Sequence, residues 1–288
     1  AFDTVVVTRD IATQVSDRYA LAVGPSGAAE GARILSARTV TPAGRPELQL
    51  AGRRAELALL ETLFDRVVAS RRGRAVIVRG DPGIGKSSLL EALASRVIDR
   101  AAVHLVQVLD FGQAANERPG PALAHRLLAA ATGATSAREA IERASHGGLL
   151  EPDDATAATD LLALEPFGPS APRLASMDPA ARERARARVL DRLLARATVE
   201  RPLLVIVEDA HWADATEIAQ LGDLASAIAA RPVLLALSTR AEGDPFPAAW
   251  RTRARGCPVT TLDLAPLAED EARELAAAYA NVGHDVLE

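Results

Sequence analysis

One octapeptide constrains this chain more than any other feature. Gly80-Asp81-Pro82-Gly83-Ile84-Gly85-Lys86-Ser87 fits the pattern G-x-x-x-x-G-K-[ST] at every fixed position. It lies between an apolar, β-branched run and a helix-forming run, and that context allows few folds. Glycines at these spacings let successive backbone N–H groups point inward and form an anion nest. A helix that starts at the end of the turn adds the positive end of its dipole. Lys86 is the only lysine among the 33 basic residues; the rest are arginines. Lysine carries a compact point charge, whereas arginine is a planar fork. A narrow phosphate cradle takes the former. The octapeptide therefore reads as a nucleotide-binding loop. Gly80, Asp81, Pro82, Gly83, Ile84, Gly85, Lys86, Ser87 and Ser88 line it, the Ser87 hydroxyl is placed to ligate Mg²⁺, and the Lys86 side chain is expected to stand exposed.

Five apolar runs follow one another from residue 75 onward. They are Ala75–Arg79, Val103–Leu109, Leu203–Val207, Val233–Ser238 and Val259–Leu262. Most are continuous rather than alternating, as buried parallel strands are. Helical stretches at Ser87–Asp99 and Thr216–Ala229 fall between them. Strands that alternate with helices predict a parallel sheet covered on both faces. Aromatic residues make up only 3% of the chain, so Ala, Leu and Val must build the core. Residues 111–200 exceed one crossover, and seven prolines break them into helical pieces. Asp178-Pro179 reads as an N-cap and first helical residue for a helix to about Ala197. Its arginines at 182, 184, 186 and 188 read as a solvated face. Residues 1–46 differ in character. Asp3–Thr8 reads as a strand, Asp10–Val15 as a short helix, Ala32–Val40 as a second run and Thr41–Pro46 as a linker.

Two further clusters carry chemistry. The run Leu203–Val207 ends in Glu208-Asp209, followed by Ala-His211-Trp212-Ala-Asp214. In phosphate-loop enzymes, acids at the end of a buried strand hold the Mg²⁺ shell or orient water. Glu208 and Asp209 are the catalytic and metal candidates, with their division of labour left open. Asp214 reads as the N-cap of the next helix. The run Val233–Ser238 leads into Thr239-Arg240. Ligands sit at the carboxyl ends of strands in such sheets, and Arg240 is placed there to touch a γ-phosphate.

In this order, Gly52-Arg53, Gly80–Ser87, Val207–Asp214 and Ser238-Thr239-Arg240 resemble the STAND-class signal-transduction ATPases. These AAA-like modules occur in large bacterial regulators, in LuxR-type transcription factors and behind class III adenylate/guanylate cyclase domains. The resemblance covers about residues 48–280. It implies a phosphate-loop three-layer α/β sandwich with a five-stranded parallel sheet, a helical insert and a small N-terminal α+β module. Leu50–Leu57 resembles the family's entry motif, whose backbone lies by the adenine, so Arg53 joins the nucleotide-binding residues. Leu264–Leu267 and a helical Glu269–Ala280 resemble the start of a helical lid. The implied division is 1–46, an N-terminal module and linker resembling the tail of a cyclase domain; 47–264, the ATPase core; and 265–288, the beginning of the lid.

The implied function is a slowly hydrolysing Mg-ATP switch, with ATP/ADP and Mg²⁺ as cofactors. ATP is favoured over GTP because a chain with one lysine holds no N-K-x-D guanine-reading motif. A dedicated NTPase or kinase and a non-hydrolysing scaffold are the rival readings. The net charge of −5 argues against nucleic-acid or membrane-surface partners. The expected partners are the nucleotide, other domains of a longer chain and further copies of itself. The single cysteine, Cys257, excludes an intrachain disulfide and fits a reducing cytoplasm. The chain starts at Ala1 and its one methionine is Met177, which reads as a segment of a longer protein.

Overall fold

The computed structural model describes the backbone of strands at residues 5–8, 19–23 and 31–37, and residues 52–108, 118–165, 170–273 and 275. Two compact units divide the chain, Ala1–Glu47 and Leu48–Glu288. In the first unit, β1 (Val5–Thr8), β2 (Tyr19–Val23) and β3 (Gly31–Ala37) form an antiparallel sheet in the order β1-β3-β2. The strand Tyr19–Val23 has no counterpart in the sequence reading. The helix expected at 10–15 and the linker at 41–46 lie outside the described residues.

The second unit contains α1 (Arg54–Ser70), β4 (Arg74–Arg79), α2 (Lys86–Val97) and β5 (Ala102–Gln107). Five helices come next: α3 (Pro119–Thr132), α4 (Ala137–His146), α5 (Pro152–Leu161), α6 (Ser170–Ser176) and α7 (Pro179–Ala197). Then come β6 (Leu203–Glu208), α8 (Ala215–Ile228), β7 (Val233–Thr239), α9 (Ala248–Arg253) and β8 (Val259–Asp263). The five strands pair in the order β5-β6-β7-β4-β8, and all four pairings are parallel. Each of the five apolar runs is one of these strands.

Side chains alternate across a strand, so consecutive core residues serve opposite faces. Val76, Val78, Leu204, Ile206, Leu234 and Ala236 pack under α1 and α2. Ala75, Ile77, Val205, Val207, Leu235 and Leu237 pack against α3, α4, α5, α7 and α8. Residues 111–200 are thus no outgrowth. Their helices share one apolar core with α8 and this face of the sheet, with Leu123, Leu128, Val189, Leu193 and Leu194 inside it. Exposing that shared core would cost about 25 cal/mol per Å² of apolar surface.

Local chemistry sets the helix ends. Asp178 accepts from Ala181 N–H at 2.8 Å, and Pro179 supplies the first helical residue of α7. Asp214 and Glu217 form a reciprocal capping box at α8, with bonds of 2.8 and 2.9 Å. The basic face of α7 divides. Arg182 and Arg186 pair with Asp160 and Arg192 with Asp154, while Arg184 and Arg188 are exposed.

His104, on β5, carries a pH dependence. Burial, and then the nearby Arg126 charge, hold its imidazole down from 6.5 to about 4. His125 is shifted the same way by burial and Arg126. Above about pH 6.5 both folded and unfolded His104 are neutral. As pH falls from 6.5 towards 4, the unfolded chain binds a proton that the folded chain refuses. Stability is therefore expected to fall across that window, by on the order of 1–3 kcal/mol at its lower end. Denaturant titrations at stepped pH measure it, and His104→Gln should flatten the curve. An unchanged slope in that variant assigns the effect to other groups.

Candidate nucleotide-binding site

The sheet order brings three strand ends together. β7 lies between β4 and β6, so its carboxyl end borders both the loop after β4 and the acids after β6. Gly80 N–H donates to Thr239 O at 3.3 Å. Asp209 N–H donates to the Ser238 hydroxyl oxygen at 3.0 Å. Two consecutive residues of β7 thus locate the start of the loop and the second acid. Both Ser238 and Thr239 are fully buried, and the Thr239 hydroxyl has no hydrogen-bond partner among the described residues.

The loop has the shape its glycines predict. Gly83 and Gly85 have φ of +76° and +100°, and a Cβ at either would meet nothing within 4 Å. The left-handed region disfavours other residues, while the space around both positions is open. Ile84 N–H closes the turn on Asp81 O at 3.2 Å. Gly80 meets a different constraint, since a Cβ there would come within 2.8 Å of the Ile84 side chain. Lys86 is the first residue of α2, and Ser87 and Ser88 follow, exposed, in its first turn. An open nest at a helix N-terminus with a serine at its rim suits a triphosphate and a Mg²⁺ held largely through it.

The Lys86 side chain departs from expectation. It is buried, 8% exposed, rather than standing free. Its ammonium donates to Gly80 O and Asp81 O at 2.9 Å each, folding the stem over its own loop. Burial lowers its proton affinity, Asp209 and Asp81 oppose that, and Arg240 reinforces it. Asp209, Asp81 and Arg240 therefore each lie close enough to act on the Lys86 charge. These four come from the three strand ends named above.

The acids differ. Glu208 is the last residue of β6 and is buried, 7% exposed. Asp209 is half-buried, with a left-handed φ of 57°. Aspartate tolerates that region better than most residues. The strained residue turns the chain into the 3₁₀ segment Ala210–Trp212, which Trp212 N–H closes on Asp209 O at 2.9 Å. Arg240 follows β7, and its guanidinium carbon lies 4.9 Å from the centroid of the Trp212 ring.

Arg53 is buried, and its guanidinium donates to Ile84 O at 3.1 Å, Ala265 O at 2.6 Å and Glu56 at 2.9 Å. It joins the entry motif to the loop and to the segment after β8. Gly52 reaches the same segment, since a Cβ there would clash with Leu267 and Glu271. Sequence reasoning missed two features. One is the Arg53 clamp, which joins positions far apart in the chain. The other is Trp212, for which the only signal was a large aromatic three residues after the acids. Among the described residues no three His, Cys, Asp or Glu side chains gather as a metal cluster, and no helix is long and apolar enough to cross a membrane.

The family described as AAA ATPase domain matches residues 49–236. An uncharacterized protein of Rhizobium meliloti (strain 1021) is 33% identical over 238 residues, a span of 80% of this chain and 22% of that protein. Among solved structures, Cdc6p from Pyrobaculum aerophilum is similar at 13% identity and a TM-score of 0.47, over 84% of this chain and 52% of its own. Aeropyrum pernix ORC1 in complex with DNA is similar at 15% identity and a TM-score of 0.42, over 80% and 49%. Drosophila ORC bound to poly(dA/dT) DNA and Cdc6 is similar at 17% identity and a TM-score of 0.39, over 80% and 32%.

The last two correct one expectation. Net charge argued against direct nucleic-acid binding, yet this chain's structural neighbours include proteins solved on DNA. Net charge averages the whole surface and does not describe any one face of it, so the exclusion is withdrawn. The family match spans well over half the chain and contains the loop, both acids and all but the end of β7. By that match, this chain belongs to the AAA ATPase domain family.

Proposed function

We propose that the chain is a Mg-ATP switch module of a multidomain bacterial signalling or transcription regulator, with hydrolysis slow enough to act as a timer. One observation carries the reading: Lys86, Asp209 and Arg240 follow three adjacent strand ends that hydrogen bonds from Gly80 N–H to Thr239 O and from Asp209 N–H to Ser238 tie together. A loop lysine, an acid and a second cation are what a terminal phosphate and its metal require. Gly80–Ser88 would hold the phosphates, and Ser87, Glu208 and Asp209 the Mg²⁺. The entry motif at Gly52-Arg53 would lie by the base. Residues 47–264 would be the core and 265–288 the start of a lid. The chain spans about a fifth of its curated relative, which suits a module set among other domains. Residues 1–46 as the tail of a cyclase-like domain, and a cytoplasmic setting, complete the proposal.

Arg240 gives the test. A ligand shifts a conformational equilibrium only through contacts that differ between states. ATP and ADP differ by one phosphoryl group, and a charge-assisted bond to it is worth about 1.5–3 kcal/mol. Arg240→Ala should therefore weaken ATP more than ADP, narrowing their affinity ratio about tenfold or more. Calorimetry with both nucleotides reads the ratio. Equal losses assign phosphate sensing elsewhere. Steady-state turnover separates the rivals: far below 1 per second fits a switch, and far above it fits a dedicated catalyst.

A further inference from the structure

Trp212 has no part in the roles assigned above. Its ring lies under the Arg240 guanidinium, 4.9 Å from centroid to carbon, and beside the His211 ring at 4.8 Å. It is 40% exposed, so burial alone does not explain a large indole here. The other tryptophan, Trp250, shows the contrast, being 3% exposed and packed edge-on against Phe246.

The charges around Trp212 suggest what the ring does. Arg240 directly follows Thr239, whose carbonyl accepts from Gly80 N–H at the head of the loop that carries Lys86. Two cations held together repel, and the long arginine side chain has many rotamers to lose. On the lysine side, the Gly80 and Asp81 carbonyls take the ammonium at 2.9 Å each and oppose the repulsion. On the arginine side, the structure offers the indole face. An aromatic face attracts a cation through its quadrupole while carrying no net charge. It can fix the guanidinium in place without cancelling it. A carboxylate in the same position would pair with Arg240 and remove the positive potential a phosphate needs. Ring and cation also share one frame. Trp212 is three residues past Asp209, Arg240 is two past Ser238, and Asp209 N–H bonds Ser238 at 3.0 Å.

We propose that Trp212 is a positioning residue that holds the Arg240 guanidinium beside Lys86, pre-forming a two-cation seat for the terminal phosphate of a nucleoside triphosphate. The proposal rests on the reading of Arg240 as a γ-phosphate contact. Preorganisation adds affinity by removing ordering that binding would otherwise require. The gain falls on the triphosphate and leaves the diphosphate nearly untouched.

The experiment compares Trp212→Ala, Trp212→Phe, Arg240→Ala and the double variant Trp212→Ala/Arg240→Ala with the unmodified chain. Calorimetry with Mg²⁺ and either ADP or a non-hydrolysable ATP analogue gives two dissociation constants for each. Trp212→Ala should weaken the triphosphate about fivefold more than ADP, the size of a partly exposed cation–π contact. Trp212→Phe, which keeps a ring face, should restore the ratio to within about twofold. In the Arg240→Ala background, Trp212→Ala should change the ratio no further. Arg240→Ala should also alter the emission of the chain, because Trp212 loses its stacked cation while the buried Trp250 does not.

Equal weakening of both nucleotides by Trp212→Ala overturns the proposal, as does an unrestored ratio in Trp212→Phe or a full Trp212 effect without Arg240. If Arg240→Ala narrows the ratio while Trp212→Ala leaves it intact, the sensing role stands and only the platform falls. A ratio untouched by Arg240→Ala removes both.

Discussion

Lys86→Ala is expected to reduce ATP affinity at least about a hundredfold, the loss of two or more charge-assisted phosphate contacts. It should also cost stability. The ammonium is buried and donates to Gly80 O and Asp81 O at 2.9 Å. Its removal leaves those carbonyls without their donor, a cost of about 1–3 kcal/mol where water cannot replace it. A melting curve and a calorimetric titration of the same sample separate the two effects. A lower melting temperature with unchanged affinity means that the lysine only staples its own loop, and the phosphate assignment then falls. Lys86→Arg sharpens the test. The planar fork cannot donate to both carbonyls and leave a compact charge in the nest, so its affinity should also fall.

Glu208→Gln and Asp209→Asn are expected to lower hydrolysis about a hundredfold or more, with ATP binding changed only a few-fold. Groups aimed at charge that develops in the transition state cost about that much when removed. Both substitutions keep shape while removing charge. Asparagine accepts a left-handed φ such as the 57° of residue 209, so the turn into Ala210–Trp212 should survive. Glu208 is the riskier position because it is buried, 7% exposed, at the end of a core strand. Single-turnover measurements at saturating Mg-ATP isolate the chemical step. Normal hydrolysis in both variants would make the acids structural. A defect in only one names the residue that carries the chemistry.

Much of this molecule was legible in its residues because the signals were local. Continuous apolar runs foretold five parallel strands, and each is present within two residues at either end. The glycine spacing foretold a turn whose positive φ angles fall at Gly83 and Gly85. Asp178 and Asp214 foretold helix starts because a cap is a bond between near neighbours. Other features depend on what the fold brings together. Nothing near Arg53 in sequence points to Ala265 O, 212 residues away. Lys86 was expected in solvent because the bend of its stem depends on carbonyls whose direction only the folded turn sets. Trp212 and Arg240 become partners only once β6 and β7 lie side by side. The strand Tyr19–Val23 is also a continuous apolar run, but two of its five residues are alanines, which favour strands weakly, and it went unread.

The central position of β7 has a consequence for mechanical tolerance. The loop and the second acid belong to strands that do not touch, yet each is pinned to one of two consecutive residues of the strand between them. Twisting or breathing of the sheet carries both pins together. The distance between anion cradle and acid then varies only with the flexing of a single peptide unit, much as two pointers on one shaft keep their angle when the shaft turns. Substitutions far out on the sheet should shift the whole assembly without detuning it, whereas a change at Ser238 or Thr239 alters the shaft itself.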